Sequence, residues 1–177
     1  LRPEEGDRLQ RAPELLAAKA VALGRLGDYQ NAMAFSDASI EERGDTPYIW
    51  LARGDVLMAR REKRADYCFE KAFSSAPQSW FLRWLASRIY YYYKKFSIAL
   101  RLAQEALGFE TCRAVVWIQL GRCQTELGMV GQARTSFEQA GQLSPNNCLD
   151  VANGLRRLQK TGFWKKLAGH LRQMTGG

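Results

Sequence analysis

Residues 113–146 read RAVVWIQLGRCQTELGMVGQARTSFEQAGQLSPN. Trp117, Leu120 and Gly121 fall on one helical stripe, Gly128 interrupts it, and Ala133, Phe137 and Ala140 begin a second stripe that ends at Ser144-Pro145-Asn146. The stretch therefore reads as two antiparallel helices. Gly121 and Ala133 are expected to face each other where the helices cross, because small side chains permit close approach, with Trp117, Leu120 and Phe137 filling the space around them. Pro145 stops the second helix.

The order and spacing of these residues closely resembles a tetratricopeptide repeat (TPR), a helix pair of 34 residues. A single pair cannot bury its apolar face alone, so copies are expected on either side. They are present. The alanine that opens the packed face of the second helix recurs as Ala32, Ala65, Ala99 and Ala133, at intervals of 33, 34 and 34 residues. A later small position runs Ser39, Ala72, Ala106, Ala140, and the small residue of the first helix runs Ala20, Gly54, Ser87, Gly121. The intervals of that last series are 34, 33 and 34, so the second unit has lost one residue in its inter-helix turn. The implied fold class is all-α, a right-handed α-solenoid of antiparallel helix pairs. Residues 1–12 form a polar lead-in, 13–46, 47–79, 80–113 and 114–146 form four repeats, and 147–177 form a degenerate fifth repeat or capping pair.

Within the first unit, Leu16, Ala20 and Leu23 make one stripe, Gly27-Asp28-Tyr29 the turn, and Ala32, Phe35 and Ile40 the second helix. Lys19, Ser36 and Ser39 depart from the family pattern and predict a looser terminal repeat. The second unit opens at Thr46-Pro47, a helix start with a capping candidate. Its turn, Arg60 to Arg64, holds four basic residues and Glu62 and reads as a solvated turn. The third unit is the most aromatic: Ser79 caps a helix bearing Trp80, Phe81, Trp84 and Tyr90 to Tyr93. Four successive helical residues sweep about 300°, so Tyr90 takes the core position and at least one other tyrosine faces out. After the fourth unit, Cys148, Val151, Leu155 and Leu158 form a stripe. Adding 34 to Gly128, Ala133, Phe137 and Ala140 then gives Gly162, Leu167, Leu171 and Met174, so the crossing positions of the fifth unit are bulky. An end unit covering the last apolar face is the preferred reading; a membrane-surface helix built on Phe163, Trp164, Leu167 and Leu171 with Lys165, Lys166 and Arg172 is the alternative.

The 177 residues carry a net charge of +8, unevenly spread: 1–46 are net −3, 47–112 net +5 and 113–177 net +6. A basic half suits acidic peptides, nucleic acid or an anionic membrane surface. No apolar run approaches the length of a membrane span, and no basic-then-apolar leader opens the chain, which begins at Leu1 and reads as a fragment or processed product. Cys68, Cys112, Cys123 and Cys148 lack a CxxC pair and read as reduced small hydrophobes of a cytoplasmic protein. His170 is the only histidine, and no glycine-rich phosphate loop or acid-base cluster accompanies it. The reading is that of a protein that is not an enzyme, with no catalytic residues, no cofactor and no metal site.

The resemblance implies a concave face lined by the first helix of each unit, where members of the family hold an extended peptide or partner helix. It places Glu14, Ala17, Val21 and Arg25 there in the first unit, and Tyr48, Leu51, Asp55 and Met58 in the second. The third supplies Phe81, Trp84, Arg88, Tyr91 and Tyr92, and the fourth Val115, Ile118, Arg122 and Thr125 with Glu126 beside them. The peptide-binding set is Tyr48, Leu51, Asp55, Phe81, Trp84, Arg88, Tyr91, Tyr92, Ile118 and Arg122. Arg88 and Arg122 occupy equivalent positions and are expected to grip carboxylates of a bound protein or peptide partner. Against this stands a reading in which Phe81 and Trp84 pack between repeats and Arg88 pairs with Asp55. Some members of the family clamp a chaperone's terminal carboxylate with an asparagine at the position that here reads Val21, Asp55, Arg88 and Arg122, so that role is disfavoured. A non-catalytic interaction scaffold is the leading expectation; a nucleic-acid-binding or membrane-associated module, or a regulatory fragment of a larger enzyme, are the others.

Overall fold

The computed structural model describes residues 12–43, 46–144 and 149–159. Pro145, Cys148, His170, nearly all of the lead-in and the stretch from 160 on, with Gly162, Trp164, Leu167, Leu171 and Met174, lie outside them. The described residues are all-α, with no strand among them. In order they form α1 (Pro13–Leu26), α2 (Tyr29–Arg43), α3 (Pro47–Ala59), α4 (Ala65–Ser75), α5 (Trp80–Tyr92), α6 (Phe96–Phe109), α7 (Ala114–Glu126), α8 (Val130–Leu143) and α9 (149–159). The chain divides between Ile89 and Tyr90, inside α5, into two compact units.

In the first unit α1 packs on α2, α3 on α4, and both α1 and α2 on α3. Ala20, Ala32 and Val56 form one buried cluster and Ala17, Ile49 and Ala52 another. In the second unit α7 packs on α6 and α8, and Ala114, Ile118, Ala133, Phe137 and Ala140 share a core with Val151 and Leu158 of α9. Of the stripe expected before the fifth unit's turn, Val151 and Leu158 are thus buried and Leu155 partly so.

Small and large residues are exchanged between paired helices. A methyl group at Gly121 would meet the Phe137 ring at 3.0 Å, and one at Gly54 would meet the Phe69 ring at 2.9 Å. Gly121 therefore makes room for Phe137 rather than facing Ala133 alone. Where the first helix carries Ala20 or Ser87 in place of glycine, the position equivalent to these phenylalanines holds Ser36 or Ala103. All four are buried. Phe137 is also pressed from its other neighbour: a methyl group at Gly154 on α9 would sit 2.5 Å from the ring.

Each first helix ends in the same hydrogen-bonded turn. Gly27, Arg61, Lys94 and Gly128 take positive φ of 90°, 60°, 59° and 75°, and the next residue's N–H reaches back to the carbonyl five residues earlier, Asp28 to Leu23, Glu62 to Leu57, Lys95 to Tyr90 and Met129 to Gln124. The residue missing from the second unit is lost after this turn, between Arg61 and Ala65. Glu62 is held there by Arg60 at 2.9 Å and Arg64 at 2.8 Å; the hydrogen bond from Arg64 and the nearby cations lower its pKa.

Of three local expectations one holds and two change. Ser79 does cap α5, its Oγ accepting the Leu82 N–H at 3.3 Å. Thr46 does not cap α3: its hydroxyl is buried without a partner, and the helix start rests on Pro47 and on the Thr46 carbonyl, which accepts from Ile49 and Trp50. The residues expected to loosen the first unit are accommodated. Ser39 donates to the Pro13 carbonyl at 2.8 Å, and the Lys19 ammonium lies 3.9 Å from the Phe35 ring centroid.

Replacing Gly154 with alanine should lower stability by about 1–2 kcal/mol, because the added methyl would sit 2.5 Å from the buried Phe137 ring and the strain outweighs the helix propensity gained. Lys94→Gly should raise it by about 1 kcal/mol by relieving the left-handed backbone. Urea unfolding followed by circular dichroism measures both.

Candidate functional site

In the second repeat the predicted groove residues are largely interior. Leu51 is fully buried, and Asp55, 2% exposed, accepts the Arg25 guanidinium, Nε to Oδ1 at 3.4 Å and Nη2 to Oδ2 at 2.5 Å. Arg25 therefore supplies a partner of Asp55 that was not foreseen. Tyr48 is half-buried against Ala17, Ile49 and Ala52, and burial, with Asp55 and Glu14 nearby, raises its pKa.

On α5 the aromatic residues form a partly exposed row. Phe81, 43% exposed, lies 5.7 Å from Trp84 and 5.9 Å from Trp80 between ring centroids. The exposed Arg88 guanidinium stacks 5.0 Å from the Trp84 centroid and makes no ion pair among the described residues. Further along, Tyr90 is buried as expected and Tyr92 faces out, meeting Tyr93 edge to face at 5.0 Å.

In the second unit, Tyr91 and Arg122 line one cavity of about 330 Å³, together with Thr125, Asp150, Asn153 and Arg157, over a floor of Phe137 and Gly154. The Arg122 Nη2 reaches the Asp150 Oδ1 at 2.8 Å. The Tyr91 hydroxyl donates to the Glu126 Oε1 at 2.8 Å, and Arg157 Nη2 meets the same oxygen at 2.7 Å. Burial, and then the hydrogen bond to Glu126, push the Tyr91 phenol up to about 12, so at neutral pH it keeps its proton and donates it to Glu126. Thr125 donates to the Gly121 carbonyl at 2.7 Å. Ile118 is buried beneath, in the cluster around Phe137.

Of the predicted set, Phe81, Trp84 and Arg88 share a surface on α5, Tyr91 and Arg122 share the cavity, and Leu51, Asp55 and Ile118 are buried in the chain itself. Asp150, Asn153 and Arg157 were not predicted. The signal was present: Val151, Leu155 and Leu158 already defined a helix, and the residues at i, i+3 and i+7 from Asp150 fall together on one face of it. Among the described residues no helix is long and apolar enough to cross a membrane, and no group of three potential metal ligands occurs. Cys68 and Cys123 are buried thiols; Cys112 is exposed.

Residues 114–147 match the tetratricopeptide repeat family model. No curated protein matches the sequence significantly. Among solved structures, the second TPR domain of human RPAP3 in complex with the HSP70 peptide SGPTIEEVD is 19% identical, with a TM-score of 0.54 over 64% of this chain and 98% of that one. Yeast Tom70 is 13% identical, with a TM-score of 0.68 over 86% of this chain and 33% of that one. MamA of MSR-1 is 18% identical, with a TM-score of 0.57 over 89% and 91%. The fold is that of tetratricopeptide-repeat helix arrays.

The raised phenol of Tyr91 gives a signed pH dependence. The neutral form is favoured by the fold, so its contribution is intact below the ordinary tyrosine value of 10.0 and is lost as pH rises through about 12. Between those values the urea midpoint of Tyr91→Phe should fall less than that of the unaltered chain, and absorbance titration near 295 nm should lose a tyrosinate step near pH 12.

Proposed function

We propose, starting from the tetratricopeptide repeat at residues 114–147 and the array of helix pairs it belongs to, that this protein is a non-catalytic interaction scaffold binding a peptide or partner segment with acidic groups. The observation that carries this reading is Arg88: an exposed guanidinium stacked on Trp84 beside the exposed Phe81, with no carboxylate partner among the described residues. Aromatic side chains and arginine are the residues that dominate interface energetics, since they combine large apolar area with directional donors. A stacked guanidinium has lost much of its rotamer freedom before a ligand arrives, which lowers the entropic cost of gripping a carboxylate. Arg122 is a second anchor on its own surface of the second unit. The human RPAP3 domain of the same fold is in complex with a peptide ending Glu-Glu-Val-Asp, an acidic segment, which supports the class of partner rather than its identity. A cytoplasmic location belongs to the same proposal, in keeping with the buried thiols Cys68 and Cys123.

Arrayed acidic and charge-neutral peptides offered to the intact chain and to Arg88→Gln, Arg122→Gln and the double variant test the reading. Acidic peptides should lose about tenfold or more in affinity for the double variant while helicity by circular dichroism stays unchanged. Equal affinity for all four proteins would overturn it.

A further inference from the structure

We propose that the cavity of the second unit is a carboxylate site that the chain closes with its own Asp150, and that an acidic side chain or a terminal carboxylate of a bound peptide takes the place of Asp150 on Arg122. This rests on the scaffold reading and adds to it the cavity around Arg122 and a means of regulation. The cavity exists because Asp150, Asn153, Gly154 and Arg157 lie on one face of α9 and the residue in the middle has no side chain. That glycine lets the helix close on Phe137 and leaves the polar residues standing around a recess.

The two ion pairs at the recess are unequal. Glu126 has a side-chain exposure of 21% and accepts from both Tyr91 and Arg157 on one oxygen. It is fixed, and it fixes Arg157. Asp150 is 55% exposed and touches Arg122, itself 42% exposed, through a single contact. A guanidinium presents five N–H donors in a planar fork that two parallel bonds to one carboxylate would satisfy better. An ion pair this exposed adds little stability, since water competes for both groups. Asp150 is therefore the carboxylate that leaves. Once it has swung out, two guanidiniums and the Glu126 carboxylate remain, a net charge of +1 that suits a singly charged carboxylate better than a phosphate dianion. Asn153 has no partner among the described residues and stands ready to donate to the second oxygen of the ligand or to its backbone.

The test uses the full chain labelled with ¹⁵N, following the arginine Nε–H signals. The probes are acetyl-Ala-Glu-Glu-Ala-amide, which carries side-chain carboxylates only, acetyl-Ala-Ala-Ala-Val with a free C-terminus, and the uncharged acetyl-Ala-Gln-Gln-Ala-amide. The Arg122 signal should move with one or both acidic probes and stay still with the uncharged one, and the probe that moves it names the source of the carboxylate. Asp150→Asn should tighten that probe by about two- to fivefold, the value of an exposed ion pair, and Arg122→Gln should abolish the effect. Binding that disappears in Arg122→Gln but is unchanged or weaker in Asp150→Asn overturns the displacement while leaving the scaffold reading standing. Movement of equal size with the uncharged probe, or none with any probe in either protein, overturns the site itself, and the scaffold reading then depends on Arg88 alone.

Discussion

The Phe137 ring is wedged where two helices would each place a side chain if they had one. It is 1% exposed, with Gly121 on one flank and Gly154 on the other, both closer than any added carbon could come without displacing it. Interiors are packed like molecular crystals, so volume added on one helix must be removed from its neighbour. The array solves this pair by pair. Phe69 is matched by Gly54 and Phe137 by Gly121, whereas in the first repeat the equivalent positions are Ala20 and Ser36, both buried and both small. What recurs along the chain is the small residue on the first helix; the large ring on the second is present only where that residue is glycine.

Much of this was legible because sterics leave marks at fixed spacing. Helices that approach closely need small residues, and Ala32, Ala65, Ala99 and Ala133 announce them. The left-handed turn after each first helix was legible only where it is glycine, at Gly27 and Gly128; Arg61 and Lys94 adopt the same backbone and carry no sign of it in their side chains. Gly154, which lies against the Phe137 ring, was not singled out in the sequence because it stands 33 residues after Gly121 rather than 34.

The residue types of the proposed surface were legible and their pairing was not. Arginine, tyrosine and tryptophan recur in the first helices, but which acid each arginine meets depends on reach across neighbouring repeats. Asp55 meets Arg25, 30 residues earlier, and Arg122 meets Asp150, 28 residues later. Both partners lie in adjacent repeats, at separations that no within-helix rule anticipates.

The Arg25 to Asp55 fork gives the amino-terminal pair of helices a role in cooperativity. α2 shares buried clusters with α3 through Ala32, Met33, Phe35 and Ile40, whereas the fork ties α3 to α1. Peeling α1 away would break that fork and open the Asp55 carboxylate to water, so separating the two helices costs an ion pair as well as apolar contact. Opening of α1 is thereby coupled to α3 by an electrostatic contact, one that added salt weakens and that apolar packing does not share.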